Sequence, residues 1–248
     1  MDRNFLDAYY KMEREHWWFQ VREGIILDQF KTVVYENNPL HILNVGAATG
    51  RSSEILESFG SVQSIEYDEP SYRFCHENLK MKIDHGSIIE LPYADASFDV
   101  VCAFDVVEHV EDHAAAIANL IRVCKPGGKV FITVPAFMSL WSNHDVVNHH
   151  FRRYSKKQLL ELFAAHSGQL KKVTYFNFFL FIPIYLVRSL QRMLRAGLQG
   201  ELKPDNDMVE SRFINSLLHS IFSFERKLLK RLHFPFGVSL LLIWERQG

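Results

Sequence analysis

A small-residue turn after an apolar run is the first feature of this sequence that could support chemistry. Residues 40–45 are almost wholly apolar, which predicts a strand buried on both faces of a parallel sheet, and Gly46 to Gly50 then turn into a helical pattern. The backbone of such a turn lets a nucleotide-like ligand approach closely. Glu66 lies at the end of the next strand-like run, twenty residues after Gly46, where an acidic side chain can bind ribose hydroxyls. The pair predicts a nucleotide-like ligand, although plain turn glycines and a solvated acid would give the same pattern.

His109 is the first candidate for a catalytic residue. It begins the helix that follows the fourth predicted strand, beside the ligand turn, and an imidazole there could act as a general base. A histidine that packs or caps the helix start is an equal alternative. His109 and His113, with Glu108, Glu111 and Asp112, also have a spacing seen in metal sites. Nothing else in the sequence marks a metal site, so this segment is interpreted as a solvated acidic turn with no metal.

The segment after the fifth predicted strand is too polar and aromatic for a plain connector. It spans 135–155 and lies at the carboxyl edge of the predicted sheet, where a second substrate should bind. The side chains assigned to that contact are His144, His149, Arg152 and Tyr154. Alternatively, the arginines and the tyrosine anchor the loop to nearby carboxylates.

An aromatic cluster precedes the first strand. Residues 16–19 read HWWF, and Arg22 follows one helical turn later. These residues either seal the edge of the core or form a lid over the ligand turn, with Trp18 in contact with substrate and Arg22 as a bidentate clamp for a carboxylate.

Strand-like and helical patterns alternate along the chain. The strand-like runs lie at 40–45, 61–67, 82–85, 98–104, 129–134 and 236–244, and the helical patterns at 4–30 (two helices), 52–59, 71–80, 111–124, 156–166 and 211–232. Alternation of this kind in the first half of the chain predicts an α/β fold with a doubly wound parallel sheet.

Composition narrows the class of protein. The 248 residues are 48% hydrophobic and 23% charged, as in ordinary globular proteins, and the net charge of −1 gives no electrostatic case for nucleic acid. Three cysteines in apolar contexts favour buried thiols over disulfides. The first residues lack the apolar core of a signal peptide, so a cytoplasmic protein is expected.

The region before the last strand is unusual. Residues 173–187 are nearly all apolar but too few for the roughly 20 that a membrane-spanning helix needs. A polar linker is predicted at 200–207. Residues 171–233 hold 11 Lys and Arg against 5 Asp and Glu, a net charge of +6. This region could rest on an anionic membrane surface, cover the second substrate as a lid, or form a dimer interface.

Four segments in this order resemble the class I S-adenosylmethionine-dependent methyltransferases: NVGAATG at 44–50, SIEYDEP at 64–70, HGSIIELPYADASFDVVCAFDVVEHVED at 85–112 and CKPGGKVFITVP at 124–135. The resemblance covers about residues 40–135. It implies a Rossmann-like, doubly wound, mostly parallel seven-stranded sheet with an antiparallel last strand. An N-terminal helical cap and a helical insertion before the last strand complete the expected fold.

The resemblance also implies S-adenosyl-L-methionine as cofactor, with S-adenosyl-L-homocysteine as product. The turn would wrap the methionine part and the ribose, and Glu66 would take the ribose hydroxyls. Tyr67 and Ile88 would flank the adenine, with Ser87 at its edge. Arg22 would bind the donor's carboxylate, and the residues that leave the fourth strand would lie beneath the sulfonium. The complete cofactor set is Arg22, Asn44, Gly46, Ala47, Ala48, Gly50, Glu66, Tyr67, Ser87, Ile88, Phe104 and Asp105.

The expected organisation is a cap at 1–38, a cofactor-binding core at 39–175, an apolar and basic insertion at 176–233 and a last strand at 234–248. The expected function is methyl transfer, favouring oxygen, to a small-molecule or lipid-linked acceptor, with peripheral membrane contact open. The family usually has an acid in place of Asn44, a glycine in place of Ala48 and an aspartate in place of Ser87. These departures leave a non-catalytic binding module as one alternative. A dinucleotide-dependent oxidoreductase is another, although the turn lacks GxGxxG spacing.

Overall fold

A computed structural model of the chain describes residues 3–33, 39–195 and 212–248. Its strands are β1 Leu40–Val45, β2 Gly60–Glu66, β3 Ile83–His85, β4 Phe98–Phe104, β5 Cys124–Pro135, β6 Gly168–Phe176 and β7 Ser239–Arg246. Its helices are α1 Arg3–Glu15, α2 Trp17–Val33, α3 Arg51–Leu56, α4 Glu69–Arg73, α5 His113–Val123, α6 Asn143–Val147, α7 Lys156–Glu161, α8 Phe181–Arg195 and α9 Arg212–Leu229. The polar linker predicted at 200–207 lies outside the described residues.

The strands form one sheet in the order β3-β2-β1-β4-β5-β7-β6. Strands β1 to β5 pair in parallel, and β7 lies antiparallel between β5 and β6. The predicted fold class is therefore confirmed. The strand order reverses between β1 and β4, and ligands of doubly wound sheets bind outside the carboxyl ends of the strands at this point. The ends of β1, β2, β4 and β5 thus define where a site should lie.

Both faces of the sheet are covered. Helix α5 packs Ile117, Leu120 and Ile121 on one face. Helices α2 and α9 cover the other, where Phe30 and Phe222 are fully buried. Burying one such side chain stabilises the fold by roughly 1.5–3 kcal/mol. Helix α2 is therefore packed directly on the sheet, while the division of the chain at residue 38 stays a prediction.

Several predicted boundaries are wrong because tertiary pairing overrides local pattern. The helix predicted at 71–80 is divided into α4 and a π-helical turn at Phe74–Asn78, and the helix predicted at 156–166 ends at Glu161. The apolar run at 173–187 is shared between two elements, because Asn177 adopts a left-handed conformation (φ 60°) between β6 and α8. A run of one composition thus contains both a strand end and a helix start.

Helix α9 is fixed to α2 by charge as well as by packing. Arg226 donates to Asp28 at 2.7 Å, and Lys230 lies 3.4 Å from the same carboxylate. None of the described helices is long and apolar enough to cross a membrane.

Glu225 joins α9 to the start of α8. Its fully buried carboxylate accepts the backbone N–H groups of Phe178 at 2.8 Å and Phe179 at 3.2 Å. Burial raises the pKa of Glu225 to about 7, although these hydrogen bonds act in the opposite direction.

We expect Glu225 to make the fold less stable as pH rises from about 4.5 to 7. In that window the folded state keeps a proton that the unfolded state, with an ordinary pKa of 4.5, has lost. The free energy of unfolding should therefore fall, by at most about 3 kcal/mol, and level off above pH 7. Urea unfolding of Glu225→Gln should show a flatter pH profile than the wild type. Glu161→Gln, on an exposed surface, should keep the wild-type slope, and identical slopes in all three proteins would contradict this assignment.

Candidate active site

The turn between β1 and α3 forms a narrow backbone cradle. Gly46 and Gly50 have φ angles of 75° and 86°, which favour glycine, and Ala48 is also left-handed at 49°. A Cβ on Gly46 would lie 2.4 Å from Cγ2 of Val106, so this position has no room for a side chain. Ala47 is buried against Leu6 of α1 and other apolar side chains. The small residues are therefore required by the local geometry.

Glu66 lies at the end of β2 beside this turn. Its buried carboxylate accepts the N–H of Ala48 through Oε2 and the N–H of Asp68 through Oε1, both at 2.8 Å. Burial raises the pKa of Glu66, and the Ala48 and Asp68 hydrogen bonds oppose that shift. Each oxygen retains acceptor capacity, so Glu66 can hold the turn and still bind a hydroxyl. Ribose binding stays a prediction.

Asn44 supports the turn from beneath. Its Nδ2 donates to the hydroxyls of Ser52 and Ser53, both at 2.8 Å, and the Ser53 hydroxyl lies 2.7 Å from that of Ser64 on β2. Its buried Oδ1 has no hydrogen-bond donor among the described residues. The amide therefore ties β1 to α3 and leaves one acceptor atom for a ligand or water.

Arg22 connects α2 to the carboxyl ends of β4 and β5. Its Nη2 donates to Oδ2 of Asp105 at 2.5 Å and to the Thr133 hydroxyl at 3.3 Å. The guanidinium lies 5.9 Å from the ring of Trp18, a cation–π distance. Its buried Nε has no acceptor within the part of the chain that the structure describes. Arg22 thus lies at the predicted edge of the sheet with a donor unused.

Helix α1 adds a carboxylate that the sequence analysis did not single out. Glu13 accepts a hydrogen bond from the hydroxyl of Thr49 in the cradle. Burial raises the pKa of Glu13 to about 7, while Thr49 and Arg22 favour its ionised form. Arg51 adds a second tie, with two bonds to Glu23 of α2 at 2.8 and 2.9 Å. No local motif distinguishes Glu13 from other acids of an amphipathic helix, so only the fold reveals it.

The loops after β2 and β3 meet on the other side of Glu66. Gly86 N–H donates to the Glu66 carbonyl at 3.0 Å, which brings Ser87 and Ile88 towards Tyr67. Tyr67 is 75% exposed, whereas Ile88 is only 5% exposed and packs in the core. Ser87 caps the short turn that follows, accepting from the Ile89 N–H. Adenine contacts by these three residues stay predictions, and Ile88 can offer only an edge.

A cluster of ionisable groups lies beyond the ends of β4 and β5. One ligand atom from each of Glu108, His109 and His150 can be chosen so that all lie within 4.8 Å of one another. The His109 and His150 ring centroids are 4.5 Å apart. His150 Nδ1 lies 2.8 Å from Oδ1 of Asp145, which also accepts from Arg153 Nε at 2.8 Å.

The environment sets the charges in this cluster. Burial and then the Asp105 carboxylate raise the pKa of Glu108 well above its usual value. Desolvation and then the facing His150 lower the pKa of His109 to about 4, although the residue as a whole is exposed. Burial opposes ionisation of Asp145, but the His150 and Arg153 contacts hold its pKa well below the usual range. His109 is therefore neutral near pH 7 and can accept a proton, while its role as general base stays a prediction.

The predicted acceptor-contact residues divide into three groups. His144 is partly buried, with its ring 6.0 Å from that of His150, so it borders the cluster. His149 is exposed, and Arg152 donates to the Glu111 carbonyl at 3.0 Å. Tyr154 is 1% exposed in the core, and its hydroxyl lies 2.8 Å from His113 Nδ1, so its contact with an acceptor stays a prediction. An aromatic residue in a polar segment can belong to the core, and the sequence alone did not distinguish the two cases.

Phe104 and Asp105, the predicted neighbours of the sulfonium, also differ in burial. Phe104 is buried with the side chains of α2 and α9, whereas Asp105, in a left-handed conformation, presents its carboxylate to Arg22. Trp18 is partly exposed and packs edge-on against Phe19, with ring centroids 5.0 Å apart. Contact of Trp18 with substrate stays a prediction.

Comparison with known proteins finds similarity to methyltransferases. Residues 43–132 match the family model of a methyltransferase domain. A probable S-adenosylmethionine-dependent methyltransferase of Mycolicibacterium smegmatis is 26% identical over 155 residues, 61% of this chain and 59% of the relative. An O-methyltransferase of Pyrenophora dematioidea is 31% identical over 101 residues, 37% of this chain and 38% of the relative. The chain thus matches less than two thirds of the length of either relative.

A solved structure shares the fold over almost the whole chain. A methyltransferase of Thermotoga maritima, titled a possible histamine N-methyltransferase, has a TM-score of 0.62 and 15% identity, covering 98% of this chain and 97% of that one. At this identity the likeness concerns the fold.

Proposed function

We propose that the chain is a class I S-adenosylmethionine-dependent methyltransferase that transfers a methyl group to an oxygen of a small, largely apolar acceptor. The observation that carries the proposal is that the candidate donor-binding and acceptor-binding residues lie together at one edge of the sheet. The cradle, Glu66, Arg22 and the Glu108–His109–His150 cluster all lie at the carboxyl ends of β1, β2, β4 and β5. A donor and an acceptor bound there would be adjacent.

The residues present fit the cofactor of the family. Unused acceptor capacity on Glu66 suits the ribose hydroxyls, and the unused Nε of Arg22 suits a carboxylate. Glu13, half-buried beside Thr49, is suited to the donor's ammonium group. When bound, S-adenosylmethionine supplies an electrophilic methyl group on its sulfonium. Gly46 and Gly50 have no room for side chains of their own beside Val106 and Met81, so the cradle presents backbone at these two positions.

The remaining work of the protein is orientation and proton transfer. An acceptor oxygen must lie in line with the methyl group in a site that excludes water. His109, neutral near pH 7, could accept the acceptor's proton. The Pyrenophora relative is by its name an O-methyltransferase, and we therefore propose oxygen as the methylated atom for this chain.

Titration calorimetry and a labelled-methyl assay test this proposal. The full chain should bind S-adenosylmethionine and S-adenosylhomocysteine but not NAD, and should transfer labelled methyl to members of a phenol and hydroquinone panel. Binding without turnover on any acceptor would favour the non-catalytic binding module. Binding of NAD alone would favour the oxidoreductase and overturn the proposal.

The acceptor class follows from the exposed apolar sides of α8 and α9, which together we name the α8–α9 apolar face. Its members share exposure to solvent and helical spacing along one side of each helix. They are Ile182, Leu186, Leu190, Met193, Phe213, Leu217 and Phe224. Phe179, Ile221 and Phe224 also line a shallow groove beside α9. A soluble monomer rarely leaves such a surface uncovered, so it supports an acceptor held in a lipid phase.

Exposed cations beside the α8–α9 apolar face favour a membrane with anionic headgroups. Of the basic cluster at the end of α9, Arg226 and Lys230 are paired with Asp28, whereas Lys227 and Arg231 are exposed. Arg192 of α8 adds a further exposed cation. Cations beside an apolar face are suited to anionic headgroups.

We expect the full chain to float with vesicles of phosphatidylcholine and phosphatidylglycerol at low salt and to be released at high salt. The double variant Lys227→Gln/Arg231→Gln should bind less, because two exposed cations are removed. Leu186→Gln/Leu190→Gln should bind less at every salt concentration, because apolar contact is lost.

A matched variant, Lys156→Gln/Lys157→Gln, removes two exposed lysines of α7 and should float like the wild type. If the wild type stays unbound at low salt, the acceptor must be sought among water-soluble compounds.

A further inference from the structure

Glu108 presents an unusual arrangement for a protein interior. It is 0% exposed, and neither carboxylate oxygen has a hydrogen-bond partner among the described residues. The nearby arginines are committed elsewhere, Arg22 to Asp105 and Arg153 to Asp145. A buried carboxylate without hydrogen bonds is strongly unfavourable, and such groups are rare in folded proteins. Within the described residues Glu108 therefore has no ion-pair partner, although the charges of Arg22 and Arg153 act on it without contact.

Two imidazoles converge on the same point. One ligand atom from each of Glu108, His109 and His150 can be chosen so that all three lie within 4.8 Å of one another. A separation of 4.8 Å is too long for a hydrogen bond, but it is short enough for the three atoms to bind one ion between them. Ligand atoms around one zinc ion lie about 3.4 Å apart, so rotamer adjustments of about 1 Å would close the set. These residues come from two segments, the turn after β4 and the segment after α6, and Phe151 N–H donates to the Glu108 carbonyl at 2.8 Å.

His150 is held as metal-binding histidines usually are. Its Nδ1 contacts the Asp145 carboxylate, which leaves Nε2 as the ring nitrogen available to a ligand. Asp145 is fixed in turn by Arg153 and by the Ser142 N–H at 2.9 Å. A carboxylate that orients the ring and sets its tautomer is the usual outer partner of such a ligand.

We propose that Glu108, His109 and His150 bind one divalent transition-metal ion of zinc-like preference, with Asp145 positioning His150. Two imidazoles and a carboxylate form a donor set of catalytic zinc sites and of related divalent sites. Three protein ligands leave a coordination position open, and the partial exposure of His109 gives it access from solvent. The ion supplies the positive charge that Glu108 lacks.

With metal bound, the coordinating nitrogen of His109 is no longer available as a base. The open position would instead hold the acceptor oxygen and lower its pKa, a role that rests on the proposed methyl transfer. Metal binding itself does not depend on that function. The competing explanation of Glu108 is a metal-free site in which the carboxyl group is protonated, and it predicts no stoichiometric binding.

Metal titration of the full chain, freed of metal by chelation and without S-adenosylmethionine, tests the proposal. Co²⁺ should bind at one equivalent with visible absorption bands of low coordination number, and Zn²⁺ should displace it. Glu108→Gln, which is nearly isosteric, should weaken Zn²⁺ binding by about 100-fold or more, and His150→Gln should act alike. His149→Asn, a neighbouring histidine outside the cluster in a left-handed conformation that asparagine tolerates, should keep wild-type affinity.

Circular dichroism establishes whether each variant is folded. If His150→Gln is not folded, the Zn²⁺ affinity of Glu108→Gln alone tests the metal site. Absence of binding at one equivalent, or equal affinity of wild type and Glu108→Gln, would overturn the metal site. Calorimetry with S-adenosylmethionine on the same protein separates this result from the function. A chain that binds the donor but no metal refutes only the metal site, and one that binds metal but no donor refutes only the proposed methyl transfer.

Discussion

Glu66→Ala should raise the dissociation constant of S-adenosylmethionine by about 10- to 100-fold, the usual cost of losing hydrogen bonds to a charged group. Two contributions would be lost together. The carboxylate offers its remaining acceptor capacity to the ribose hydroxyls, and it holds the cradle through the Ala48 N–H at 2.8 Å. Because Glu66 lies at the end of β2, its removal should leave the sheet folded.

A second substitution at the same position separates these contributions. Glu66→Gln keeps an oxygen that can accept from Ala48 but loses the charge and one acceptor. If ribose recognition dominates, Gln should bind the donor almost as weakly as Ala. If the hold on the cradle dominates, Gln should bind it nearly as well as the wild type.

Titration calorimetry with S-adenosylmethionine measures both variants, and Glu69→Ala is the matched control. Glu69 lies three residues away, is exposed and contacts only Arg73 of its own helix among its described ion pairs. It should bind the donor normally. An unchanged dissociation constant in folded Glu66→Ala would show that this carboxylate has no part in donor binding.

The placement of Glu66 could be predicted from sequence because strand ends are read locally. The strand-like runs that end at Val45, Glu66 and Phe104 can each be recognised from neighbouring residues, and parallel strands place their carboxyl ends on one edge of the sheet. The residues that follow these runs can therefore be assigned to that edge from sequence, even when the packing of the helices is not known. The order of the strands and the antiparallel β7 came instead from the family resemblance.

The remaining features depend on contacts between distant segments. Glu13 meets Thr49 across 36 residues, and Arg22 meets Asp105 across 83 residues. No periodicity encodes such pairs. The His109–His150 pair has the same origin, and the metal-like spacing considered within 108–113 missed it because His150 enters from another loop. The burial of Tyr154 could not be predicted either, since its polar neighbours in sequence are not its neighbours in space.

Arg22→Met should weaken binding of S-adenosylmethionine by about 100-fold while affecting 5′-methylthioadenosine by less than about threefold. The methionine side chain keeps the apolar stem but cannot donate to the donor's carboxylate, which contributes as a charge-assisted bidentate pair. Methylthioadenosine has the same nucleoside and lacks the amino-acid part. The difference between the two ligands therefore isolates the contact with that part from general damage to the cradle.

Arg22 also has a structural partner, so the test needs a second arm. Its bond to Asp105 at 2.5 Å and its contact with Thr133 tie α2 to the ends of β4 and β5. Asp105→Asn weakens that tie and leaves the guanidinium in place. If Arg22 binds the donor directly, Asp105→Asn should retain most of the affinity, and the double variant should be no weaker than Arg22→Met.

Equal weakening of both ligands in Arg22→Met would mean that the arginine acts only by holding α2 over the cradle. Arg73→Met, which removes an exposed arginine from α4, controls for the loss of positive charge and should bind both ligands normally. Glu13→Gln provides an independent check, because an amide cannot form an ion pair with the donor's ammonium. It should lower affinity for S-adenosylmethionine and spare methylthioadenosine. If both substitutions discriminate between the ligands in this way, Arg22 and Glu13 bind opposite charges of the same amino-acid group, and the N-terminal helices form one wall of the donor site.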